Sequence, residues 1–413
     1  MGFFYQLKKM DSTDNATTRA AFLPFCLPTL EEGDRRAVLD CLDSKWITTG
    51  ARVATFEKMF QEKLGGGHAI AVNSATSGWQ LVAHALGIGS GDEVIVPAIT
   101  WVSVPNMVEL LGARVVFADV CADTLQIDVG DVARKIGPQT KAIIPVHFAG
   151  APCDLDALKT LTKDRNITLV EDAAHALGTF YKGVEIGSDA EVAIFSFHPI
   201  KNITTAEGGM IVVRDDDLAE RLRLLRFHGV TKNAWNRYAN KGPAEYDVVE
   251  PGYKCNMPDL LAALGISQLS RIESFNHRRS QIANQYNECL KDIPGINPLS
   301  PVPYDHGHCW HLYVVRCELN DNAFNRNELM EALKNENIGT GLHFPALHTQ
   351  SYYQNKYQLS PDSCPVAHEV GGKVLSLPLF PTMTDQDVAD VVRALQKIML
   401  GKASTLKQCV QKG

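Results

Sequence analysis

The sequence predicts an α/β protein: a large domain with a mostly parallel sheet between helices, then a smaller α+β C-terminal domain. Three observations predict it. Strand-like runs alternate with helical stretches up to about residue 214. Those strands read as near-continuous apolar runs, as strands covered on both faces do. Beyond them the pattern changes to a long helix-rich section, about residues 257–290, and then to a tail of mixed strands and helices.

In chain order, "TLEEGDRRAVLDCL" (29–42) reads as a helix opened by a capping box of Thr29 and Glu32. The loop "DSKWITTG" follows. "HAIAVNSATSGWQLVAHALG" gives a strand at 68–72, a polar turn, and a helix at about 77–86. "DEVIVPAIT" and "ARVVFADV" are short buried strands with an apolar helix at 102–111 between them. "KAIIPVHFAG" is a strand, "DLDALKTLTKDRN" a helix, and "ITLVED", "EVAIFSF" and "GGMIVVR" are strands. In the tail, "WHLYVVRC" and "VLSLPLF" are strand-like and "NRNELMEALKNEN" is helical. The last helix has Thr384 and Asp387 as its capping box and a stripe of Val388, Val391, Val392, Leu395 and Ile398. The expected division is a leader at 1–21, a large domain at 22–265, a smaller domain at 266–400 that begins with a linking helix, and a tail at 401–413.

Composition narrows the function classes. The 413 residues are 45% hydrophobic and 21% charged, an ordinary soluble balance. A net charge of −7 supplies no basic field for nucleic acid. No apolar run approaches the ~18–20 residues of a membrane span. The N-terminal "MGFFYQLKKMDS" is too short in apolar residues for a signal peptide. It also has Gln6 where myristoylation requires Ser or Thr. Ten cysteines are scattered without a C-x-x-C pair, which fits a reduced cytoplasm.

Several strand ends carry chemistry-bearing residues. Asp172 closes "ITLVED", where open α/β sheets bind ligands; capping of a following helix is the plain alternative. "NSATSG" (73–78) is a strand-to-helix turn whose free N–H groups and Thr76 and Ser77 hydroxyls could cradle a phosphate, or simply cap the helix. Lys201 follows the strand ending at Phe197 and precedes Glu207-Gly208-Gly209. A surface lysine is the usual reading, but an amine near apolar walls loses its proton readily and becomes a nucleophile. Gly87, Gly89 and Gly91 follow a helix, the wrong context for a dinucleotide fingerprint. His306, His308 and His311 are too loosely spaced before a strand to read as a metal site. Taken together, an amine, an acid and a phosphate cradle are what pyridoxal 5'-phosphate (PLP) requires. Trp101, at another strand end, could stack on its ring.

"VEDAAHALG", "FSFHPIKNITTAEGG", "NSATSG" and "PGYKCNMPDLLAALG" resemble the DegT/DnrJ/EryC1/StrS sugar-nucleotide aminotransferases, fold-type I PLP enzymes. The likeness covers roughly residues 22–400. It implies that Lys201 is the Schiff-base lysine and that Asp172 pairs with the pyridinium nitrogen. It implies Thr76, Ser77 and Ser196 as phosphate ligands, and Asn256 as a phosphate ligand reaching in from the second subunit of a homodimer. Trp101 takes the ring-stacking position, His175 lies beside the cofactor, and His343 is a substrate-side residue; no metal is implied. "WITTG", "PAITWVSVPNMVELLGA", "TKAIIPVHFAGAPCDLDAL" and "IGTGLHFPALHTQSYY" further resemble members that use L-glutamate to aminate C4 of a UDP-4-keto-pentose for lipid A modification. A UDP- or dTDP-4-keto-hexose is the alternative acceptor. The resemblance implies two half-reactions and ping-pong kinetics. Family members that dehydrate sugars carry histidine in place of the lysine, and a non-catalytic relative would lack the lysine or the acid; both are present here. Departures are a longer leader, the tail "GKASTLKQCVQKG", Lys45 where glycine is more usual, and Cys255 where an aromatic residue is more usual.

Overall fold

The runs that alternate apolar strand with helix fold as a layered α/β body. The computed structural model describes residues 18–231, 246–319 and 324–410, with side chains described up to residue 400. Its strands are β1 (His68–Val72), β2 (Glu93–Pro97), β3 (Arg114–Ala118), β4 (Thr140–Ile143), β5 (Thr168–Asp172), β6 (Phe180–Tyr181), β7 (Val184–Glu185), β8 (Val192–Ser196), β9 (Gly209–Val213), β10 (Ile296–Pro298), β11 (His306–Gly307), β12 (Tyr313–Cys317) and β13 (Val374–Leu377).

Seven of them form one sheet in the order β1-β9-β8-β5-β4-β2-β3. β3, β2, β4, β5 and β8 pair in parallel, while β9 runs antiparallel to both β8 and β1. Alternate residues of each strand feed separate cores. Ile70, Val94, Val96, Ile194 and Ile211 pack on one face. Ala69, Ala71, Ile95, Leu169, Phe195 and Val212 pack on the other. Period-two side-chain direction with helices on both faces explains why these strands read as continuous apolar runs. A three-stranded antiparallel sheet, β10-β12-β13, carries a third core with the last helix, in which Val388, Val391, Val392 and Leu395 are buried and Ile398 packs partly. A small β11-β6-β7 sheet completes the strands.

The helix predicted at 29–42 begins later, at Glu32–Asp43. Its reciprocal cap is Glu31 with Asp34 rather than Thr29 with Glu32: the Glu31 N–H donates to Asp34 Oδ2 at 2.8 Å. The cap at Thr384 and Asp387 forms as expected, with N–H to side-chain bonds of 2.8 and 3.1 Å. That final helix spans Asp385–Val410, so most of the expected tail continues it, and residues 411–413 lie outside the described residues. Residues 1–17 of the expected leader also lie outside them. Arg19, placed in that loose leader, is instead tied to the last helix by ion pairs to Asp387 and Asp390, both 2.7 Å. Leu23 bridges to Ile338 and buries itself in the core of the smaller sheet.

Sequence reading missed the helix Ala51–Lys63, which buries Val53, Phe56 and Phe60. Its N-terminus is capped from far along the chain. Asp259 accepts from the backbone N–H groups of Gly50, Arg52 and Val53 at 2.7, 3.1 and 2.9 Å. Lys45 has φ of 60°, the left-handed region, which explains why glycine suits this position better.

Candidate active site

The parallel strands β2, β5 and β8, with β1, end on the same side of the sheet, and their carboxyl ends open into a cavity of about 320 Å³. The turn and helix start after β1 contribute Ser74, Ala75 and Thr76; the segment after β2 contributes Thr100 and Trp101; the end of β5 and the turn after it contribute Asp172, Ala174 and His175. β8 and the loop after it bring Ser196, His198 and Lys201, while His343 and Phe344 close the opposite wall.

Strand alternation sends Glu171 and Asp172 to opposite faces of β5. Glu171 is buried against His147, Oε2 to Nε2 3.1 Å. Asp172 faces the cavity, and its Oδ1 accepts from the Ala174 N–H at 3.0 Å. No helix starts after it, so the capping alternative falls away. Burial pushes the Asp172 carboxyl up from its ordinary value, and the Ala174 N–H, Lys201 and His147 draw it part of the way back. A buried acid held above its usual range gains by pairing with a cation such as a protonated ring nitrogen.

The Lys201 loop is pinned from both sides. The Lys201 N–H closes a turn on the His198 carbonyl at 2.8 Å, and Phe197 pairs with Gly208 and Thr205. Asn202 donates to Asn276 Oδ1 at 2.7 Å and to the Cys309 carbonyl at 3.0 Å. The amine is thereby held in the cavity wall. Burial brings Lys201 down to about 8, opposed by Asp172 and Cys26. At neutral pH a useful fraction of such an amine is uncharged.

At the start of the helix Ala75–Ala85, Ser74 caps the Ser77 N–H at 3.0 Å. The N–H groups of the first turn have no carbonyl within the helix to bond. An anion at Ser74–Thr76 would satisfy them. Thr76 lines the cavity, whereas the Ser77 hydroxyl is engaged with Ser74 Oγ at 2.9 Å. A Cβ on Gly209 would stand 2.7 Å from the Ala75 nitrogen, so glycine is what lets β9 lie against this turn. The Thr100 hydroxyl oxygen is buried at the cavity without a protein partner.

His175 is buried, and its Nδ1 accepts the Ala149 N–H at 3.3 Å, which leaves the proton on Nε2. Burial, then Lys201 and His343, hold it well below the usual histidine range. His343 is brought down to about 3 by burial and by Lys201, and its Nδ1 lies 2.9 Å from Ser376 Oγ. Trp101 is 59% exposed, with its ring 5.9 Å from that of Phe344. Asn256 does not line this cavity; its Nδ2 donates to Thr49 Oγ1, and it bridges to Val72 at the end of β1. Of the three histidines set aside, His308 stacks on Trp310 at 3.9 Å and His306 bonds to the Tyr304 carbonyl. His311, however, stands beside Lys201, Nε2 to Nζ 3.5 Å. Among the described residues no group of three or more His, Cys, Asp or Glu could hold a metal ion. Sequence reasoning missed His311, Thr100 and Phe344, which are far from the lysine in sequence.

A family model described as the DegT/DnrJ/EryC1/StrS aminotransferase family matches residues 28–396. The chain belongs to that family. It is similar to the Streptococcus pneumoniae protein Spr1654, assigned as a sugar aminotransferase and solved in its PMP form. They share 33% identity and a TM-score of 0.85, over 94% of this chain and 100% of that one. Helicobacter pylori PseC, an aminotransferase involved in the biosynthesis of pseudoaminic acid, is 30% identical with a TM-score of 0.84, covering 92% and 100%. DesV from S. venezuelae is 33% identical with a TM-score of 0.82, covering 91% and 99%. The protein is a PLP-dependent sugar aminotransferase of fold type I. The residues at the cavity fit that cofactor: an amine of lowered basicity, a buried acid in want of a cation, and an anion-ready helix start.

Proposed function

We propose that this enzyme moves the amino group of L-glutamate to C4 of a UDP-4-keto-pentose. The products are UDP-4-amino-4-deoxy-L-arabinose and 2-oxoglutarate. The activity is that of the bacterial UDP-4-amino-4-deoxy-L-arabinose–oxoglutarate aminotransferase, a cytoplasmic step toward lipid A modification and polymyxin resistance. The observation that carries the amino-transfer chemistry is Lys201, a lysine brought to about 8 in a cavity it shares with Asp172. The pentose assignment is supported by the run of segments that resemble that enzyme, from "WITTG" to "IGTGLHFPALHTQSYY".

When bound, PLP supplies an electron sink for the carbon that bears the transferred amine. In this reading Lys201 provides the amine that anchors the cofactor, and its Nζ takes and returns the proton at the reacting carbon. A base whose pKa lies near the working pH suits that task. Asp172 would hold a proton on the ring nitrogen. Thr76, Ser77 and Ser196 bind the phosphate, with Ser74 capping the same turn. Trp101, exposed at the cavity, would stack on the ring. His175 would stand beside the ring as a neutral donor, and His343 would meet the substrate. Asn256 serves the partner subunit's phosphate in a homodimer. The division into domains at 22–265 and 266–400 belongs to the same proposal; the separate core of the smaller sheet supports a second domain, and Leu23 joins that core from the N-terminal side. Among the described residues no helix is long and apolar enough to cross a membrane.

A glutamate-dependent assay over UDP-4-keto-pentose and UDP- or dTDP-4-keto-hexoses tests the acceptor. Preference for a hexose would overturn the pentose assignment and leave the amino transfer in place.

A further inference from the structure

His311 lies two residues before β12, beside Lys201. It does not line the cavity. Its Nε2 is 3.5 Å from Lys201 Nζ, and among the described residues this is the one hydrogen-bond contact of that amine. Its Nδ1 is buried without a protein partner. The imidazole is 2% exposed and packs against His175 with ring centres 4.3 Å apart. Its backbone is fixed by a buried guanidinium: Arg279 donates to the carbonyls of Trp310, His311 and Leu379 at 3.3, 3.1 and 3.1 Å. These bonds fix the backbone at His311, and packing against His175 confines the ring that stands beside the amine.

We propose that His311 is a positioning residue: its Nε2 accepts a hydrogen bond from Lys201 Nζ and fixes where that amine rests when it is free. The inference rests on Lys201 being the cofactor-anchoring lysine. A flexible butyl stem gives an unanchored amine many rotamers, and a fixed acceptor behind it selects one. Asp172 and Cys26 act electrostatically on Lys201, and Lys201 in turn acts on His175, His198 and His343. Asp172 faces the cavity and is the partner reserved for the cofactor; Cys26 bonds to the Ile200 carbonyl at 3.6 Å. His311 is itself kept uncharged, by burial first and then by His175, Lys201, Arg279 and His343, so one of its ring nitrogens is free to accept, and the proposal assigns that role to Nε2, the nitrogen beside the amine.

An accepting nitrogen favours the ammonium form of its donor. Replacing it with a hydrocarbon should therefore lower the lysine's basicity further. The test uses cofactor-free protein. Wild type, His311→Phe and His311→Gln are labelled with trace acetic anhydride across a pH series. Peptide mass spectrometry then reads modification at Lys201 against the exposed Lys58. The midpoint for Lys201 should fall by about 0.5 to 1 pH unit in His311→Phe, and stay at the wild-type value in His311→Gln, whose amide oxygen restores an acceptor. An unchanged or raised midpoint in His311→Phe overturns the proposal, as does an equal fall in both variants. Should His311→Phe fail to fold, His311→Leu carries the same expectation. Failure of the underlying reading would show separately, as wild-type holoenzyme without a borohydride-fixable cofactor on Lys201.

Discussion

Asp172 and Lys201 face one cavity from two neighbouring strand ends, and burial drives both toward the uncharged state. Each draws the other part of the way back toward its charged form. A site with this balance gains stability by binding a group that brings its own cation to Asp172 and consumes the charge on Lys201.

The first expectation concerns attachment. Purified wild-type enzyme should show the visible Schiff-base band and become irreversibly labelled on borohydride reduction. Lys201→Ala should show neither, and its transamination should fall by at least about a hundredfold. A wild-type band that survives in Lys201→Ala would assign the anchoring amine elsewhere.

The second follows from the lowered basicity of Lys201. A lysine at about 8 in the folded state and ordinary when unfolded binds fewer protons folded than unfolded between about pH 8 and 10.5. Cofactor-free enzyme should therefore gain stability from this group as pH rises through that window, and carry its full penalty below it. Lys201→Met should be more stable than wild type at pH 7, by up to about 2 kcal/mol after allowing for the lost attraction to Asp172. The difference should shrink toward pH 10. Urea unfolding midpoints at several pH values measure it, and a pH-independent difference would contradict the assignment.

Asp172→Asn keeps the shape and removes the charge. Its kcat should drop by about a hundred- to a thousandfold, as for loss of one preorganised electrostatic partner. Cofactor should still attach through Lys201, read by the same visible band. Full activity in this variant would remove Asp172 from the proposed chemistry.

Shared sites in a homodimer give a mixing test. Lys201→Ala and Asn256→Ala homodimers should each be nearly inactive. Dissociated and reassociated together, they form hybrids with one site carrying both lesions and one carrying neither, recovering about a quarter of wild-type activity. If Asn256 serves its own subunit's site, every site keeps one lesion and mixing recovers nothing.

The helix Ala51–Lys63 supplies a stability prediction independent of the cofactor. Asp259→Ala leaves three buried-end N–H groups without their acceptor. The loss should be about 2–4 kcal/mol in urea unfolding, larger than for an ordinary exposed cap. Asp259→Asn should recover part of it.

What the sequence by itself determined was local. Continuous apolar runs specified β1 to β5, β8 and β9, because a strand buried on two faces has no polar side to show. Lys201, Asp172 and Trp101 were conspicuous because each ends or closely follows such a run, whereas Ser196 came only from the resemblance. The Thr384–Asp387 cap was legible because both partners lie within four residues. The tertiary structure alone decided what depends on distant partners. The helix Ala51–Lys63 carries no local cap, since its acceptor, Asp259, lies more than 200 residues away. The loose-looking Arg19 is anchored by the last helix. His311 looked like one of three scattered histidines, and only the folding of β12 against the Lys201 loop set its ring beside the amine. Backbone propensity and apolar period act within a few residues, whereas a capping carboxylate or a buried acceptor is fixed by packing across the whole chain.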